Sequence, residues 1–205
     1  MSHYFLNDAS LKEERQSFTY QFNNESFNFT TDNGVFSKEH VDFGSYLLIK
    51  EAAAFPPGKR LLDLGCGFGV IGIVMKRLFP ETEVDAVDIN ERAVELTRLN
   101  AKNNAAEICA VVTSDITELG KLYETILLNP PIHSGKQAIF DLYEKARRCL
   151  TADGSLYIVI KKKHGAESTL KKLKDLFNDT EILHKEAGYW IIRASGNISE
   201  ERTAH

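Results

Sequence analysis

The fold is decided by the stretch RLLDLGCGFGVIG at residues 60–72. Apolar residues run to Leu64, a glycine-rich turn follows, and a helical pattern begins at Val70, which predicts strand, turn and helix in succession. Glycine allows positive φ and lets a ligand approach the backbone with no Cβ in the way. The turn therefore predicts a cradle for a nucleotide. Its GxGxxG spacing at 67–72 also fits dinucleotide binding, so the turn alone leaves an NAD-dependent oxidoreductase open.

Outward from this stretch, strand-like and helix-like segments alternate along the chain. Strands are predicted at 60–64, 83–88, 108–113, 125–129 and 155–160, and helices at 41–54, 70–79, 91–103, 137–150 and 167–177. Segments 181–184 and 189–194 predict a terminal antiparallel hairpin. This alternation predicts an α/β doubly wound, mostly parallel sheet with helices on both faces. Ligands of such sheets bind beyond the carboxyl ends of the strands.

The beginning of the chain predicts a β-hairpin with one aromatic face. Aromatic residues alternate with polar ones at positions 18, 20, 22, 27 and 29, on both sides of an Asn23-Asn24 turn. We expect this face to pack on the main body. The chain then divides into a hairpin extension at 1–40, a main domain at 41–195 and a frayed polar tail at 196–205.

Composition excludes several classes of protein. In 205 residues there is no apolar run of about 20, the length that a membrane helix needs. The three cysteines are odd in number and far apart, which argues against a disulfide framework or a zinc site and favours a reducing cytoplasm. The net charge of −4 argues against a general polyanion-coating protein, yet residues 145–193 hold 11 Lys or Arg against 6 Asp or Glu. That basic third fits either a nucleic-acid-facing surface or a solvated helix face.

Acidic residues mark the ends of the first three predicted strands. Asp63 suits a cationic or amino-bearing ligand better than a pyrophosphate, because a carboxylate repels phosphate. Asp88 ends the second strand, where an acid commonly holds ribose hydroxyls, although it also precedes the helix that Asn90 begins. Asp115 follows the third strand and is placed to reach an adenine amino group.

The fourth strand ends in the most informative segment, NPPIHSG at 129–135. Two prolines stiffen this loop and remove two N–H donors. The Asn129 amide and the Pro130 carbonyl then offer two acceptors for the two hydrogens of an –NH₂ group. Such a grip would orient the nitrogen lone pair toward an electrophile. The alternative interpretation of the two prolines is a rigid β-to-α turn.

These motifs together resemble the class I S-adenosylmethionine-dependent methyltransferases that act on amino nitrogens. More narrowly, residues from about 20 to 195 resemble the methyltransferase small domain of bacterial ribosomal RNA guanine-N2 methyltransferases. The specific points are NPPxHxG at 129–135 and GVFS at 34–37 followed by DxGS at 42–45. Larger members carry an additional N-terminal methyltransferase-like domain, and this chain resembles a single-domain version. The resemblance implies a seven-stranded Rossmann-like sheet and methylation of the exocyclic 2-amino group of a guanine in 16S ribosomal RNA.

The resemblance also implies a role for each motif position. S-adenosyl-L-methionine would be the cofactor and S-adenosyl-L-homocysteine the product. Asp88 would hold the ribose and Asp115 the adenine. The residues implied around the methionine portion are Asp63, Gly65, Gly67 and Gly69. Those implied to close the site from the N-terminal side are Phe36, Ser37 and Asp42, with Phe36 on the substrate and the other two on the cofactor.

The catalytic loop implied by the resemblance comprises Asn129, Pro130, Pro131 and Ile132. It departs from related amino-methyltransferases at its fourth position, where an aromatic residue often stacks on the target base and this chain has Ile132. Base clamping is therefore expected from Phe36 or Phe68. His133 is a secondary candidate for contact with a phosphate or with the base edge.

The basic run Lys161-Lys162-Lys163 follows the fifth strand, so we expect it at the same edge as the Asn129 loop. Lysines there would neutralise phosphates, which implies ribosomal RNA or the 30S subunit as partner, with no membrane and no metal involved. The target base must be unpaired or extruded. Protein glutamine and adenine-N6 methyltransferases, which share an Asn-Pro-Pro loop, and a non-catalytic RNA-binding module are the alternatives. The sequence leaves the oligomeric state open.

Overall fold

The computed structural model describes residues 14–33 and 40–197 of the chain. These form nine strands and five α-helices within the described ranges. The strands are β1 (Gln16–Phe22), β2 (Glu25–Thr31), β3 (Arg60–Leu64), β4 (Glu83–Asp88), β5 (Ile108–Val112), β6 (Tyr123–Leu128), β7 (Leu150–Lys161), β8 (Phe177–Glu186) and β9 (Tyr189–Asn197). The helices are α1 (Phe43–Ala52), α2 (Val70–Leu78), α3 (Glu91–Asn103), α4 (Lys136–Arg148) and α5 (Ala166–Leu176).

Seven strands form the main sheet in the order β5-β4-β3-β6-β7-β9-β8. The first five in this order run parallel, β9 is antiparallel to β7, and β8 is antiparallel to β9. The predicted α/β, mostly parallel seven-stranded fold is therefore confirmed. The strand order reverses between β3 and β6, which places a ligand crevice beyond their carboxyl ends.

The core has two layers, one on each face of the sheet. Adjacent strand residues alternate between the layers: Leu61 lies in one cluster and Leu62 in the other, as do Leu127 and Leu128. Helices α1, α2 and α3 cover the first face, and α4 and α5 cover the second. All four of these leucines are fully buried, so the carboxyl ends of β3 and β6 are fixed by core packing on both faces of the sheet.

The predicted N-terminal hairpin is confirmed, and it forms its own two-stranded sheet. Its aromatic face joins the first core layer, where Phe27 and Phe29 are buried. Two asparagine side chains, one in α3 and one directly after it, form hydrogen bonds with backbone N–H and C=O groups of β2. Asn104 exchanges two hydrogen bonds of 2.8 Å with the Asn28 backbone, and Asn100 binds Thr30 N and O at 2.7 and 2.9 Å.

Several predicted boundaries agree with the structure, namely those of β3, β4 and α3. The structure extends β7 back to Leu150 and β8 back to Phe177, so the last strands are longer than the sequence pattern predicts. Phe36 and Ser37 lie outside the described residues, as do 1–13 and 198–205. The division of the chain at residues 40 and 195 stays a prediction.

Two features are absent from the described residues. None of their helices combines the length and the apolar character needed to cross a lipid bilayer. Nor do they bring three or more His, Cys, Asp or Glu side chains together in a group that could hold a metal ion.

Candidate functional site

A cavity of about 760 Å³ opens at the carboxyl edge of the sheet, where β3, β4, β6 and β7 end. This volume suits a ligand of nucleoside size together with part of a second molecule. Many of the residues predicted from the sequence meet on its walls: Asp42, Gly65, Gly67, Asp88, Asn129, Pro130, Pro131, Ile132, His133 and Lys161.

The glycine turn forms one wall of the cavity. Gly65 and Gly67 have φ of +75° and +56°, and a Cβ at either would meet no other atom within 4 Å. The turn thus presents open backbone to the cavity, which is the arrangement that a close-lying ligand needs. Gly69 has a different role, because at φ +92° its Cβ would come within 2.9 Å of Thr97 Cγ2 in α3. That glycine allows α2 to begin tightly against α3.

Asp88 fixes the position of the turn. One carboxylate oxygen accepts a hydrogen bond from Gly67 N at 3.0 Å, and the other accepts from Asn90 N at 2.9 Å. The side chain is buried at the end of β4 and lines the cavity. Both interpretations of Asp88, as a ligand-facing acid and as a charge near the start of α3, are therefore compatible with its position.

Asp63 lies beneath the glycine turn and is fully buried. Its Oδ2 accepts from Gly72 N at 2.8 Å, and its Oδ1 has no hydrogen-bond partner among the described residues. The pKa of Asp63 is raised to about 7, mainly because the carboxyl group is buried; the Gly72 hydrogen bond lowers it in part, and the nearby charge of Asp88 adds to the rise. A cation bound in the turn would favour the ionised carboxylate, so this orphaned oxygen fits a positively charged ligand. Direct contact of Asp63 with the cofactor stays a prediction.

Asp115 is engaged by its own loop. Its Oδ1 accepts from the backbone and the hydroxyl of Thr117 at 3.1 and 2.9 Å, and these bonds lower the pKa of Asp115. Its neighbours Thr113 and Ser114 line the cavity instead. The adenine contact of Asp115 therefore stays a prediction.

Sequence reasoning missed an apolar wall beside the acidic residues. Ile89 and Ile116 line the cavity, and Ile89 is 40% exposed although it follows a buried strand. An exposed isoleucine next to Asp88 offers a flat apolar surface to a purine ring. The signal in the sequence was an apolar residue directly after the acid that ends β4.

The opposite wall carries Asn129, at the end of β6. Its Nδ2 donates to Ser45 Oγ at 3.0 Å and lies 3.4 Å from both carboxylate oxygens of Asp42. Among the described residues nothing donates a hydrogen bond to Asn129 Oδ1, and the residue is half-buried on the cavity wall. Ser45 is a second contributor that sequence reasoning missed.

The loop after Asn129 is rigid. A 3₁₀ turn spans Ile132–Ser134, and the Pro131 carbonyl accepts from Ser134 N at 3.0 Å and from Ser134 Oγ at 2.7 Å. Ile132 packs against the second core layer as well as lining the cavity, and His133 is exposed at the rim. The β-to-α turn and the functional wall are thus the same structure.

The mouth of the cavity is basic and aromatic. Lys161, His164 and Tyr189 line it, and Lys161 Nζ lies 4.7 Å from the centre of the Tyr189 ring. Lys162 and Lys163 are exposed in the adjoining 3₁₀ turn. Partial burial lowers the pKa of His164, and the charges of its lysine neighbours lower it further.

Phe68 lines the cavity, but most of its ring is covered by the hairpin. Its side chain is 5% exposed, and the rings of Phe18 and Phe29 pack against it in edge-to-face geometry at 6.1 and 5.8 Å. The structure assigns this ring to the core beneath the hairpin. Tyr189 is the aromatic residue that the structure places at the mouth, where strand register pairs it with Lys161. The proposed role of Phe36 lies outside the described residues.

Comparisons with known proteins agree on one family. The family model described as "Methyltransferase small domain" matches residues 26–193. The uncharacterised protein YbxB of Bacillus subtilis is 40% identical over 195 residues, covering 94% of this chain and 97% of its own. Ribosomal RNA small subunit methyltransferase C of Stutzerimonas stutzeri is 35% identical over 130 residues, which cover 62% of this chain and 39% of that protein. The Aliivibrio fischeri (strain MJ11) protein of the same name is 34% identical over 148 residues, covering 70% of this chain and 43% of its own.

This chain therefore matches well under half of the length of these ribosomal RNA methyltransferases. Among solved structures, the 16S rRNA N2 methyltransferase RsmC of T. thermophilus, in complex with AdoMet and guanosine, superimposes with a TM-score of 0.78. It is 24% identical, and the match covers 92% of this chain and 51% of that one. A ribosomal protein L11 methylase from Lactobacillus delbrueckii superimposes with a TM-score of 0.62 at 20% identity, and the match covers 76% of this chain and 77% of that one. At these identities the likeness shows the fold.

Proposed function

The chain belongs to the methyltransferase small domain family and is a methyltransferase that uses S-adenosylmethionine, and we propose that it methylates the exocyclic 2-amino group of a guanine in small-subunit (16S) ribosomal RNA. The observation that carries the proposal is the Asn129 carboxamide. Its N–H group is held by the protein, which leaves its oxygen as an acceptor; Pro130 lines the same wall, and its carbonyl would be the second acceptor. Two acceptors match the two hydrogens of an amine.

The cofactor fits the opposite wall. Gly65 and Gly67 expose backbone to the cavity, Asp88 on the same wall would bind the ribose hydroxyls, and Ile89 would pack against the adenine. Bound there, the cofactor supplies an electrophilic methyl group. The orphaned Asp63 oxygen lies below this wall, where a carboxylate stabilises positive charge in the bound molecule.

The contribution of the chain to the reaction is positioning. Asn129 and Pro130 would take one amine hydrogen each, which turns the nitrogen lone pair toward the methyl group. Their oxygens also stabilise the positive charge that develops on the nitrogen as it is alkylated. The product ammonium loses its proton readily, so no strong base is required before attack.

An RNA target is favoured by the charge at the mouth and by the relatives. Lys161 and His164 line the mouth of the cavity, and Lys162 and Lys163 are exposed in the turn beside it, where lysines would bind the phosphates of an RNA. Ribosomal RNA methyltransferases recur among the relatives, although this chain matches only part of their length. A cytoplasmic location is part of the proposal.

The second candidate is an amide or an adenine amino group as acceptor, because both would satisfy the same pair of oxygens. Ile132 argues against it: the expected aromatic partner is absent from this loop position, and Ile132 packs partly against the second core layer. Tyr189, on the far side of the mouth, is the aromatic residue available to a flat base.

The test is transfer of labelled methyl from S-adenosylmethionine to a panel of acceptors. Naked 16S RNA, 30S particles, a total protein extract and duplex DNA are each incubated with the wild-type chain, and Asn129→Ala serves as the inactive control. Label in RNA alone is the expected result. Label in protein or DNA would replace guanine with one of the other acceptors. No label anywhere, with S-adenosylhomocysteine still bound in calorimetry, would leave a non-catalytic RNA-binding module.

A further inference from the structure

We propose that Asp42 and Ser45 are positioning residues that fix the orientation of the Asn129 carboxamide. They thereby make the site select a methyl-accepting group that donates hydrogen bonds. The inference rests on the proposed function, because it specifies how the same site recognises an amine. It gives Asp42 a role different from the cofactor contact implied by the sequence resemblance.

The two residues hold a single rigid position relative to Asn129. Asp42 caps α1, accepting from Gly44 N at 3.0 Å and from Ser45 N at 3.2 Å. The Ser45 hydroxyl donates to Asp42 Oδ2 at 2.5 Å. Ser45 is 7% exposed and lies on the cavity wall. The helix cap and the functional wall therefore share one carboxylate.

The hydrogen-bond inventory of these groups decides the orientation of the amide. A carboxylate is acceptor-only, and the Ser45 proton is already given to Asp42. Asp42 and Ser45 thus present three oxygen acceptors to Asn129, at 3.4, 3.4 and 3.0 Å from Nδ2. Rotating the amide by 180° would place its oxygen against a carboxylate and an occupied hydroxyl, which is repulsive. The Nδ2-inward orientation is therefore enforced.

The consequence is a site that distinguishes an amine from a carbonyl at the same ring position. With Nδ2 held by the protein, Oδ1 is the atom that Asn129 offers to the substrate, and it accepts hydrogens. An –NH₂ substituent satisfies that oxygen. A carbonyl substituent would face it with another acceptor, so the oxygen analogue is rejected.

The variant Asp42→Asn tests this without removing the helix cap. Asparagine caps helices about as well as aspartate, so α1 should keep its cap through the new amide oxygen. The new amide nitrogen would replace Oδ2 and meet Asn129 Nδ2 donor to donor. Asn129 should then reverse, offering N–H instead of oxygen to the amine. We expect kcat for RNA methylation to fall on the order of 100-fold, with the Kd for S-adenosylhomocysteine unchanged.

Ser45→Ala is the second variant, and it removes one of the three acceptors while leaving Asp42 in place. We expect a smaller fall in kcat, of about tenfold. Thr169→Val is the matched control, because it also removes a buried hydroxyl, one that contacts Tyr143 OH at 3.2 Å, away from the cavity. Its kcat should stay within about twofold of wild type. Thermal unfolding of all three variants identifies any loss of activity caused by loss of folded protein.

A direct readout of amide orientation is the side-chain ¹H–¹⁵N resonance pair of Asn129, assigned by its disappearance in Asn129→Ala. Asp42→Asn should shift this pair and Thr169→Val should not. A shift together with the fall in kcat supports the proposal, and either change without the other overturns it. If wild-type protein methylates no RNA, the proposed function fails. The resonance comparison then still decides whether Asp42 sets the amide.

Discussion

The two walls of the cavity are built in different ways. The wall proposed for the cofactor is built mainly from one segment, β3 and its glycine turn from 60 to 69. Hydrogen bonds from Gly65 N, Cys66 N and Gly67 N tie this segment to the end of β4, where Asp88 and Ile89 complete the wall. The acceptor wall is assembled from chain segments more than 80 residues apart, Asp42 and Ser45 at the start of α1 and Asn129 at the end of β6. The first is held mainly by backbone, the second by side chains.

This difference implies different sensitivities to mutation. A wall made of backbone should tolerate substitution of its side chains, but its shape depends on the positive φ of its glycines and on the buried Asp63 beneath it. A wall that depends on three side chains is weakened when one donor or acceptor is exchanged, because Pro130 alone would then accept from the proposed substrate amine. The variants below test each wall separately, beginning with the largest expected effect.

Asn129→Ala should separate the walls most sharply. Removing the amide leaves Pro130 as the remaining acceptor, so kcat should fall on the order of 1000-fold. The Kd for S-adenosylhomocysteine should stay within about twofold, measured by isothermal titration. The control is Asn103→Ala, on the exposed end of α3. A parallel loss of cofactor affinity would place Asn129 on the cofactor wall instead.

Asp63→Asn tests the buried charge beneath the cofactor wall. The pKa of Asp63 is raised to about 7 in the folded chain, so the folded state holds this proton more tightly than the unfolded state does. Wild-type stability should therefore decrease as pH rises from about 4 to 7, through this group, by up to about 4 kcal/mol. The variant keeps an acceptor for Gly72 N, and its free energy of unfolding should lack this decrease with pH.

Urea denaturation of both proteins at pH 4.5, 6 and 8 measures this directly. The stability of Asp63→Asn relative to wild type should increase with pH. A difference that is constant across the three pH values would show that Asp63 does not hold a proton more tightly in the folded chain.

Glycine variants test the backbone of the same wall. Gly67→Ala introduces only the strain of positive φ, because its Cβ meets open space, and should cost about 1 kcal/mol of unfolding free energy. Gly69→Ala adds a close contact with Thr97 and should cost about 3 kcal/mol. Chemical denaturation at pH 7 compares the two. Equal costs would mean that α2 does not need Gly69 for its approach to α3.

The smallest effect is expected at the mouth, where Lys161→Ala removes one charge that is proposed to bind an RNA phosphate. The KM for RNA should rise about fivefold with kcat nearly unchanged, and the slope of log KM against log salt should decrease in magnitude by about 1. Lys102→Ala, exposed on α3, is the control. A change in kcat without a change in KM would assign Lys161 to the reaction centre rather than to RNA binding.

The cofactor wall was readable from the sequence because its signals are local. Short apolar segments predicted β3 and β4 to the residue, and the glycine spacing predicted the turn between β3 and α2. The end of β6 was likewise identified from Asn129 and the prolines after it. Neighbouring parallel strands end at one edge, so those residues were expected together.

The sequence predicted the residues of the acceptor wall only in part, and it did not predict their contacts. Nothing in the spacing of Asp42 and Asn129 states that their side chains meet, because the contact depends on how α1 packs on the sheet. Phe68 is aromatic, as a residue that clamps a base would be. Its burial depends on the packing of the N-terminal hairpin against its ring, which the sequence pattern around Phe68 does not indicate. Tyr189 reaches the mouth through the antiparallel register of β9 on β7, which periodicity does not specify.

The central claim is that the Asn129 wall holds a guanine 2-amino group for methylation, and identification of the methylated nucleoside tests it most directly. 16S RNA or 30S particles are incubated with S-adenosylmethionine and the wild-type chain, digested to nucleosides and analysed by mass spectrometry beside Asn129→Ala. N2-methylguanosine that appears with wild type and is absent with the variant is the predicted result. Methylation at any other nucleoside position, or equal N2-methylguanosine from the variant, would contradict the claim.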